Sequence, residues 1–421
     1  SGSVADGSIT ESKLADDAVT AAKIAANAVG QSEIASGAIT GNELAAVSVT
    51  ASKIGDNEVT DAKITGMAAS KLTGALPAIS GANLTNLPAG GRVHNLVING
   101  NFKLAQRAAS HGSSGYRTVD RWQMSAGGAS AALTQSQYSS ISGTSPYAEG
   151  HHQAYRIDNA GQNANTQGYV YMQQHIEAQD IINSGWNYKS SSSYITLSFW
   201  VRGSVTQTYL VNLITNDGTM REWNHLVSLT ADNWTKVTMT ISGDSNITMN
   251  NDNGIGLTLY FNAYLGSHYT SGSTVDQWVT HAGYTSRPDM GSGWWTTSNS
   301  TFMLTGVQLE AGNTASNFAH ESYAETLRKC QRYFMKFTKV SGAASAYNGY
   351  SDGYRWFVPF PTQMRSDPTM VSSGGSDGGS AAVLNIAFSD VTGFTARIES
   401  TNTSSIDVWY SNATVTASAE L

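Results

Sequence analysis

One cysteine among 421 residues, Cys330, rules out an intrachain disulfide framework and any cysteine knuckle for a metal. Nowhere does the chain approach the roughly 18 consecutive apolar residues of a membrane-spanning helix, so no membrane insertion is expected. Charge is scarce as well. Only 13% of residues are charged, the net charge is -7, and no cluster of Lys and Arg offers the phosphate neutralisation on which nucleic-acid binding rests. The opening Ser-Gly-Ser-Val has no basic start, no apolar core and no initiator Met, so it reads as a trimmed or engineered beginning without a signal peptide. What the chain does have is 10 Trp and 19 Tyr among abundant Ser, Thr, Gly and Asn. That mixture suits sugars, because aromatic faces stack on the C–H side of a pyranose while amides and hydroxyls bond its hydroxyl groups. The competing use of the same aromatics is to fill β cores.

The first 70 or so residues of the chain repeat themselves. Aligned in tens it reads GSITESKLAD, DAVTAAKIAA, NAVGQSEIAS, GAITGNELAA, VSVTASKIGD, NEVTDAKITG, with Ile9, Leu14, Val19, Ile24, Val29, Ile34, Ile39, Leu44, Val49, Ile54, Val59 and Ile64 spaced every five residues. Five is odd, so on a strand successive apolar side chains point to opposite faces, and on a helix they never form a stripe. The chain must turn within each repeat, and Thr10, Thr20, Thr40, Thr50 and Thr60 are placed to cap one turn each. One aliphatic per five residues makes a core too thin for a lone segment to offset its own chain entropy, so three copies wound together are expected, with these twelve residues at the trimer contact. The run A-V-T-x-x-K-I-A resembles the shaft repeats of bacteriophage tail fibres, over residues 7 to about 72. The resemblance implies a parallel homotrimer in a virion tail fibre, docked to other tail proteins through its N-terminal side.

A connector with two prolines, ALPAISGANLTNLPAGG (75–91), resembles the neck where such a shaft hands over to a globular head. Alternating, turn-bounded runs follow, among them SYITLSFWVRG, TYLVNLITNDG, NWTKVTMTISGD and GIGLTLYFNAYLG, which predict an antiparallel β-sandwich or jelly roll. NLVINGNFKLAQR (95–107) and FMLTGVQLEAGNTASNF (302–318) resemble the carbohydrate-binding-module jelly roll that recurs in phage fibre heads. In that family an acidic residue after N-G-x-F helps hold a structural calcium. Lys103 stands there instead, Glu310 alone makes no site, and no cofactor or metal is expected. HESYAETLRKCQRYFMKF (320–337) predicts a helix, with a capping box from Ser322 and Glu325 and an apolar stripe Tyr323, Leu327, Cys330, Phe334. G-V-Q-L-E followed by S-Y-x-E-x-L-x-x-C-Q-R-Y resembles a junction found in phage structural proteins, and Cys330 reads as a buried small hydrophobe. The last segment, 338–421, predicts a small β-sandwich tip. The expected organisation is mostly β: a shaft over 1–74, a neck over 75–91, a jelly-roll head over 92–320, a helix over 321–337 and the tip.

No catalytic constellation is legible. Glycoside hydrolysis needs two carboxylates facing each other at roughly 5 to 9.5 Å. Asp217, Glu222, Asp244, Asp252, Asp276 and Asp289 are scattered and read as turn caps. His151, His152 and His175 lack metal-ligand spacing, and GSGWW (291–295) lacks the strand and helix of a nucleophile elbow. Binding has better material. DQWVTHAGYTSRPDMGSGWWTTSN (276–299) places Trp278, Tyr284, Arg287, Trp294 and Trp295 in a Gly-rich loop, and YNGYSDGYRW (347–356) adds Tyr347, Tyr350, Tyr354 and Trp356 near the tip. These nine are the sequence's candidates for contact with a host cell-surface glycan of the lipopolysaccharide or capsule type, and hence for host adsorption. A purely structural fibre, or a bacterial adhesin or secreted carbohydrate-binding module, are the competing expectations.

Overall fold

The computed structural model describes residues 3–30, 32, 34–40, 44, 48–50, 53–55, 94–272, 274–283, 286–345, 355–374, 376–378, 382–400 and 407–421. The chain divides into two units, Ser1–Leu84 and Thr85–Leu421.

In the first unit each described repeat is one tight turn joined to a left-handed corner. Short 3-10 turns span Glu11–Lys13 and Ala21–Lys23. The corners fall ten residues apart at Gly7, Asp17, Asn27 and Gly37, all with positive φ, which explains why only Gly, Asp or Asn occupies them. In three of the repeats lysine ties the turn back: Lys13 Nζ donates to the Ser8 carbonyl at 2.7 Å, Lys23 Nζ to Ala18 at 2.7 Å and Lys53 Nζ to Ser48 at 2.6 Å. Thr10 and Thr20 do hold the N-cap positions, but neither hydroxyl makes a cap bond. The lysine bond has taken over the closure expected of them. From Ile9 to Ile54 the ten described period-five residues, Ile9, Leu14, Val19, Ile24, Val29, Ile34, Ile39, Leu44, Val49 and Ile54, are 42% to 57% exposed. Val59, Ile64 and Thr60 lie outside the described residues, as does the neck.

The head is built from β1 (Ser110–His111), β2 (Gln123–Gly127), β3 (Leu133–Tyr138), β4 (Ala154–Asn159), β5 (Tyr169–Glu177), β6 (Tyr194–Gly203), β7 (Gln207–Thr215), β8 (Arg221–Leu229), β9 (Thr235–Ser242), β10 (Ile255–Leu265), β11 (Trp278–Thr280) and β12 (Ser300–Ala311). They pair antiparallel in two six-stranded sheets, β1-β3-β4-β12-β6-β9 and β11-β8-β7-β10-β5-β2. The chain crosses repeatedly between the sheets, which makes a jelly-roll β-sandwich. Strand alternation fills the space between them. Val237, Met239 and Ile241 of β9 point in, while Lys236, Thr238 and Thr240 point out. Trp122 meets Phe102, Tyr155 and Phe261 at ring separations of 5.0, 6.4 and 5.9 Å in the middle of the core. Short helices α1 (Ser145–Ala148), α2 (Ala178–Ile182) and α3 (Gly293–Thr296) interrupt the connections.

Helix α4 (Tyr323–Gln331) begins where its capping box predicts, with Ser322 Oγ accepting from the Glu325 amide at 3.1 Å. It is shorter than expected and its stripe is corrected. Tyr323 is 62% exposed, Cys330 is fully buried, and Phe334 already belongs to the next strand, since β pairing captures the chain from that residue. That strand opens the C-terminal domain: β13 (Phe334–Ser345), β14 (Arg355–Pro359), β15 (Thr369–Ser373), β16 (Ser376–Gly378), β17 (Ala382–Asp390), β18 (Gly393–Ser400) and β19 (Asp407–Ser418). Its two sheets, β13-β19-β15 with β16 on β19 and β14-β18-β17, enclose a second core around Phe360, Met364, Phe394 and Val415.

Candidate functional site

Strand β5 reads YVYMQQHIE. Val170, Met172 and Ile176 face the core, which turns Tyr169, Tyr171, Gln173 and His175 outward. In β10 the same alternation sends Leu257, Leu259 and Phe261 inward and Thr258, Tyr260 and Asn262 outward. Strand register then assembles three rows across the outer face of the second sheet. Gln123, Gln173, Tyr260, Asn212 and Asn224 form the middle row; Ser125, Tyr171, Asn262, Leu210 and Leu226 lie on one side of it, and His175, Thr258, Ile214 and Glu222 on the other.

Half of this face is covered and half is open. Residues on either side of 284–285 lie over β8: Asn224 Nδ2 donates to the Ser286 carbonyl at 3.0 Å, and Glu222, fully buried, accepts from Arg287 Nε at 2.8 Å, Asn212 Nδ2 at 3.0 Å and the Ser286 hydroxyl, with His281 Nδ1 at 2.9 Å. Burial pushes the Glu222 pKa up, but His281, Arg287 and Ser286 outweigh it and hold the carboxyl below its usual value. On the open half the aromatics form a continuous strip. Tyr269 meets Tyr169 edge-on at 5.6 Å, Tyr169 stacks on Tyr171 at 5.6 Å, Tyr171 meets Tyr260 edge-on at 5.2 Å, and the Arg287 guanidinium lies 5.8 Å from the Tyr260 ring. Burial raises both the Tyr171 and Tyr260 hydroxyls, Tyr260 to about 12, so each stays neutral and able to donate and accept.

Beside the strip sits an unmet acceptor. Asn262 is 1% exposed and spends its amide nitrogen on the Leu210 carbonyl and Asn212 Oδ1, while its own Oδ1 has no partner. A buried acceptor without a donor costs about 1 to 3 kcal/mol. Chemically, then, the face offers flat apolar rings, neutral hydroxyls and amides. The carboxylate on these rows, Glu222, is committed to its four partners.

The candidates named from the sequence are placed differently. Trp294 and Trp295 are fully buried, not exposed on a loop: α3 tucks both indoles beneath the sandwich end, where Trp295 stacks on Tyr264 at 4.6 Å and its Nε1 donates to the Asn163 carbonyl. Trp278 is also core, 5.7 Å from Trp223, with its Nε1 bonded to the Ser242 carbonyl. These three cannot stack on a sugar, because closing the sandwich end consumes them. Among the described residues of that loop, Arg287 reaches the open face. Trp356 is half-buried against the second core. Tyr284, Tyr347, Tyr350 and Tyr354 lie outside the described residues. Asp244 and Asp252 cap turns through the amides of Asn246 and Gly254, while Asp217 accepts from the amide of Asn250, 33 residues along the chain. Glu222 departs from that reading, since it sits inside β8. His175 lies in β5, whereas His151 lies in the connection before β4. Lys103 Nζ donates to the carbonyls of Glu321 and Ser322, and Glu310 accepts from Ser316 and Gln308. The tyrosine strip itself was missed; its signal was the pair Tyr169 and Tyr171 at the i, i+2 spacing of one strand face.

Two buried histidines make the head acid-sensitive. Burial lowers His151 to about 4, aided by His320, and lowers His175 to about 4, aided by Arg121. Below pH 6.5 the unfolded chain takes up these protons first, so stability falls between pH 6.5 and 4 by about 3 kcal/mol per histidine at most. Asp120, raised to about 6 by burial, takes its proton in the folded state and offsets roughly one of them over the same window. The urea midpoint is expected to fall across that range, and to fall less in His151→Phe. A flat profile in the native chain would exclude the buried neutral histidines.

No family model matches the chain, and no curated protein matches it. Among solved structures, a CBM4 structure is similar at 13% identity, covering 51% of this chain and 98% of its own, with a TM-score of 0.26. A sugar-binding protein from Bacteroides thetaiotaomicron VPI-5482, described as putative, is similar at 14% identity over 52% of this chain and 100% of its own, with a TM-score of 0.28. A cyclase from Fischerella sp. is similar at 9% identity over 52% of this chain and 95% of its own, with a TM-score of 0.29. Likeness at this level says nothing of what this chain binds.

Proposed function

We propose that the chain is a trimeric bacteriophage tail-fibre protein that adsorbs the virion to its host by binding cell-surface polysaccharide, and that the outer face of the second head sheet is the binding surface. The observation that carries the binding is the strip Tyr269, Tyr169, Tyr171, Tyr260. Neutral rings and hydroxyls of this kind match the alternating apolar and polar faces of a sugar chain. The face binds rather than cleaves, with Glu222 locked as a structural carboxylate. The fibre reading is supported by the first unit. Burying one Val, Ile or Leu side chain is worth about 1.5 to 3 kcal/mol, and ten such residues at a fixed period remain half in water on a single chain. Sister chains wound alongside cover them, and the N-terminal side is left to other tail proteins. Single contacts at about millimolar strength, or -4 kcal/mol, become firm adsorption when three heads per fibre and several fibres act together.

Light scattering on the purified chain should give three times 44.6 kDa; a single-chain mass would sink the fibre reading. On host polysaccharide or a glycan array, at a temperature where each variant is folded, Tyr171→Ala and Tyr260→Ala are each expected to weaken binding about tenfold, equivalent to ~1.4 kcal/mol. Binding that survives both substitutions places the contact elsewhere, and no binding by the native protein leaves a purely structural fibre.

A further inference from the structure

The C-terminal domain carries an exposed aromatic row that its own core does not use. In the sheet β14-β18-β17, Phe357 and Phe388 both lie opposite Thr395. The alternate residues Trp356, Ala396 and Ile386 pack on the core, so Phe357, Thr395 and Phe388 face the other way. Phe357 is 55% and Phe388 71% exposed, and Phe388 is the most exposed large apolar residue among those described. Gly393 belongs to the same arrangement: the Phe357 ring lies against it where any Cβ would collide. The row thus keeps an aromatic pair in water on a sheet that had an inner face available for them.

Resting on the fibre reading, we infer that this face is a second contact between copies of the chain, with the three faces converging on the threefold axis and Thr395 near that axis. The size of the patch selects the occupant. Two half-exposed phenylalanines present on the order of 250 Å² of apolar surface, well short of the roughly 800 Å² per partner that a freely diffusing protein needs to stay bound. A copy already joined through the shaft needs far less, because tethering supplies an effective concentration in the millimolar range. A patch of this size is therefore stable only between chains that are linked elsewhere.

The test uses the full chain with Thr395→Cys. Cys330 is fully buried and does not compete for thiol reagents. A short bis-maleimide is expected to link copies through position 395, whereas Lys189→Cys, on an exposed part of the head, gives no link. Adding Phe357→Ser and Phe388→Ser, both exposed and so tolerated by the fold, should leave the threefold mass intact and abolish the cross-link. Threefold mass with freely labelled but unlinked Thr395→Cys overturns this interface and leaves the fibre reading standing. A single-chain mass overturns both.

Discussion

Arg121→Met is expected to cost about 3 to 5 kcal/mol, the usual penalty for removing one partner of a buried ion pair. Arg121 is 1% exposed, and its Nη1 donates to Glu420 Oε2 at 2.5 Å, its Nη2 to the His175 carbonyl at 2.6 Å, while its guanidinium lies 3.5 Å from the Tyr333 ring. Arg107 holds the other oxygen of Glu420 at 3.0 Å and itself lies over Phe334 at 3.6 Å. One carboxylate from the end of the C-terminal domain is thereby gripped by two arginines of the head. Without Arg121, Glu420 keeps only Arg107, in a place where water cannot replace the missing charge. Urea denaturation followed by tryptophan fluorescence should show the loss as a lower midpoint. The double variant Arg121→Met with Glu420→Gln should recover part of it, since the stranded charge is then gone. A single variant with an unchanged midpoint would mean that the grip contributes nothing.

Glu222→Gln is expected to act on stability and binding together. The amide has the shape of the carboxylate, yet it turns an NH2 group toward Arg287, His281 and Ser286, all of which point donors or a hydroxyl at this site. Leaving the Arg287 charge uncompensated in a covered position costs about 3 kcal/mol. Because the folded carboxyl is held below its ordinary value, its contribution is present above the unfolded carboxylate pKa and is lost as the pH falls through the folded one. The binding effect follows from position: Glu222 orients the Arg287 side chain that borders Tyr260. Glu222→Gln should thus lower both the melting temperature and the affinity for host polysaccharide. Arg287→Met on top of it should restore part of the stability while affinity stays low. Native affinity in Glu222→Gln would dissociate the covering segment from the binding face.

The expected jelly roll and the C-terminal sandwich are both present, and particular residues show why they were legible. Val237, Met239 and Ile241 alternate with polar neighbours, and a period of two allows only a strand with one buried face. Ser322 and Glu325 marked the first turn of α4 correctly, since a cap is a local bond between residues three apart. Its end was misjudged, because Phe334 is claimed by pairing with Ser418, a residue far along the chain. The same long-range effect moved the candidate site. Trp294 and Trp295 sit among Gly and Ser, a composition that reads as an exposed loop, and only the closing of the sandwich end reveals where the indoles go.

By itself the sequence determined the properties that depend on neighbours a few residues apart. The five-residue period denies the repeat a core within one strand or helix, the strand alternation assigns an inner and an outer side, and the Gly, Asp and Asn corners permit the left-handed turns. Tertiary structure alone decided which outer side carries the site. Tyr169, Tyr171, Tyr260, Asn262 and Arg287 come from three separate stretches of chain, and they become one surface only through the register of β5 on β10 and the placing of Ser286 and Arg287 over β8. Register between distant strands is set by how all their side chains pack at once, and no local pattern contains that sum.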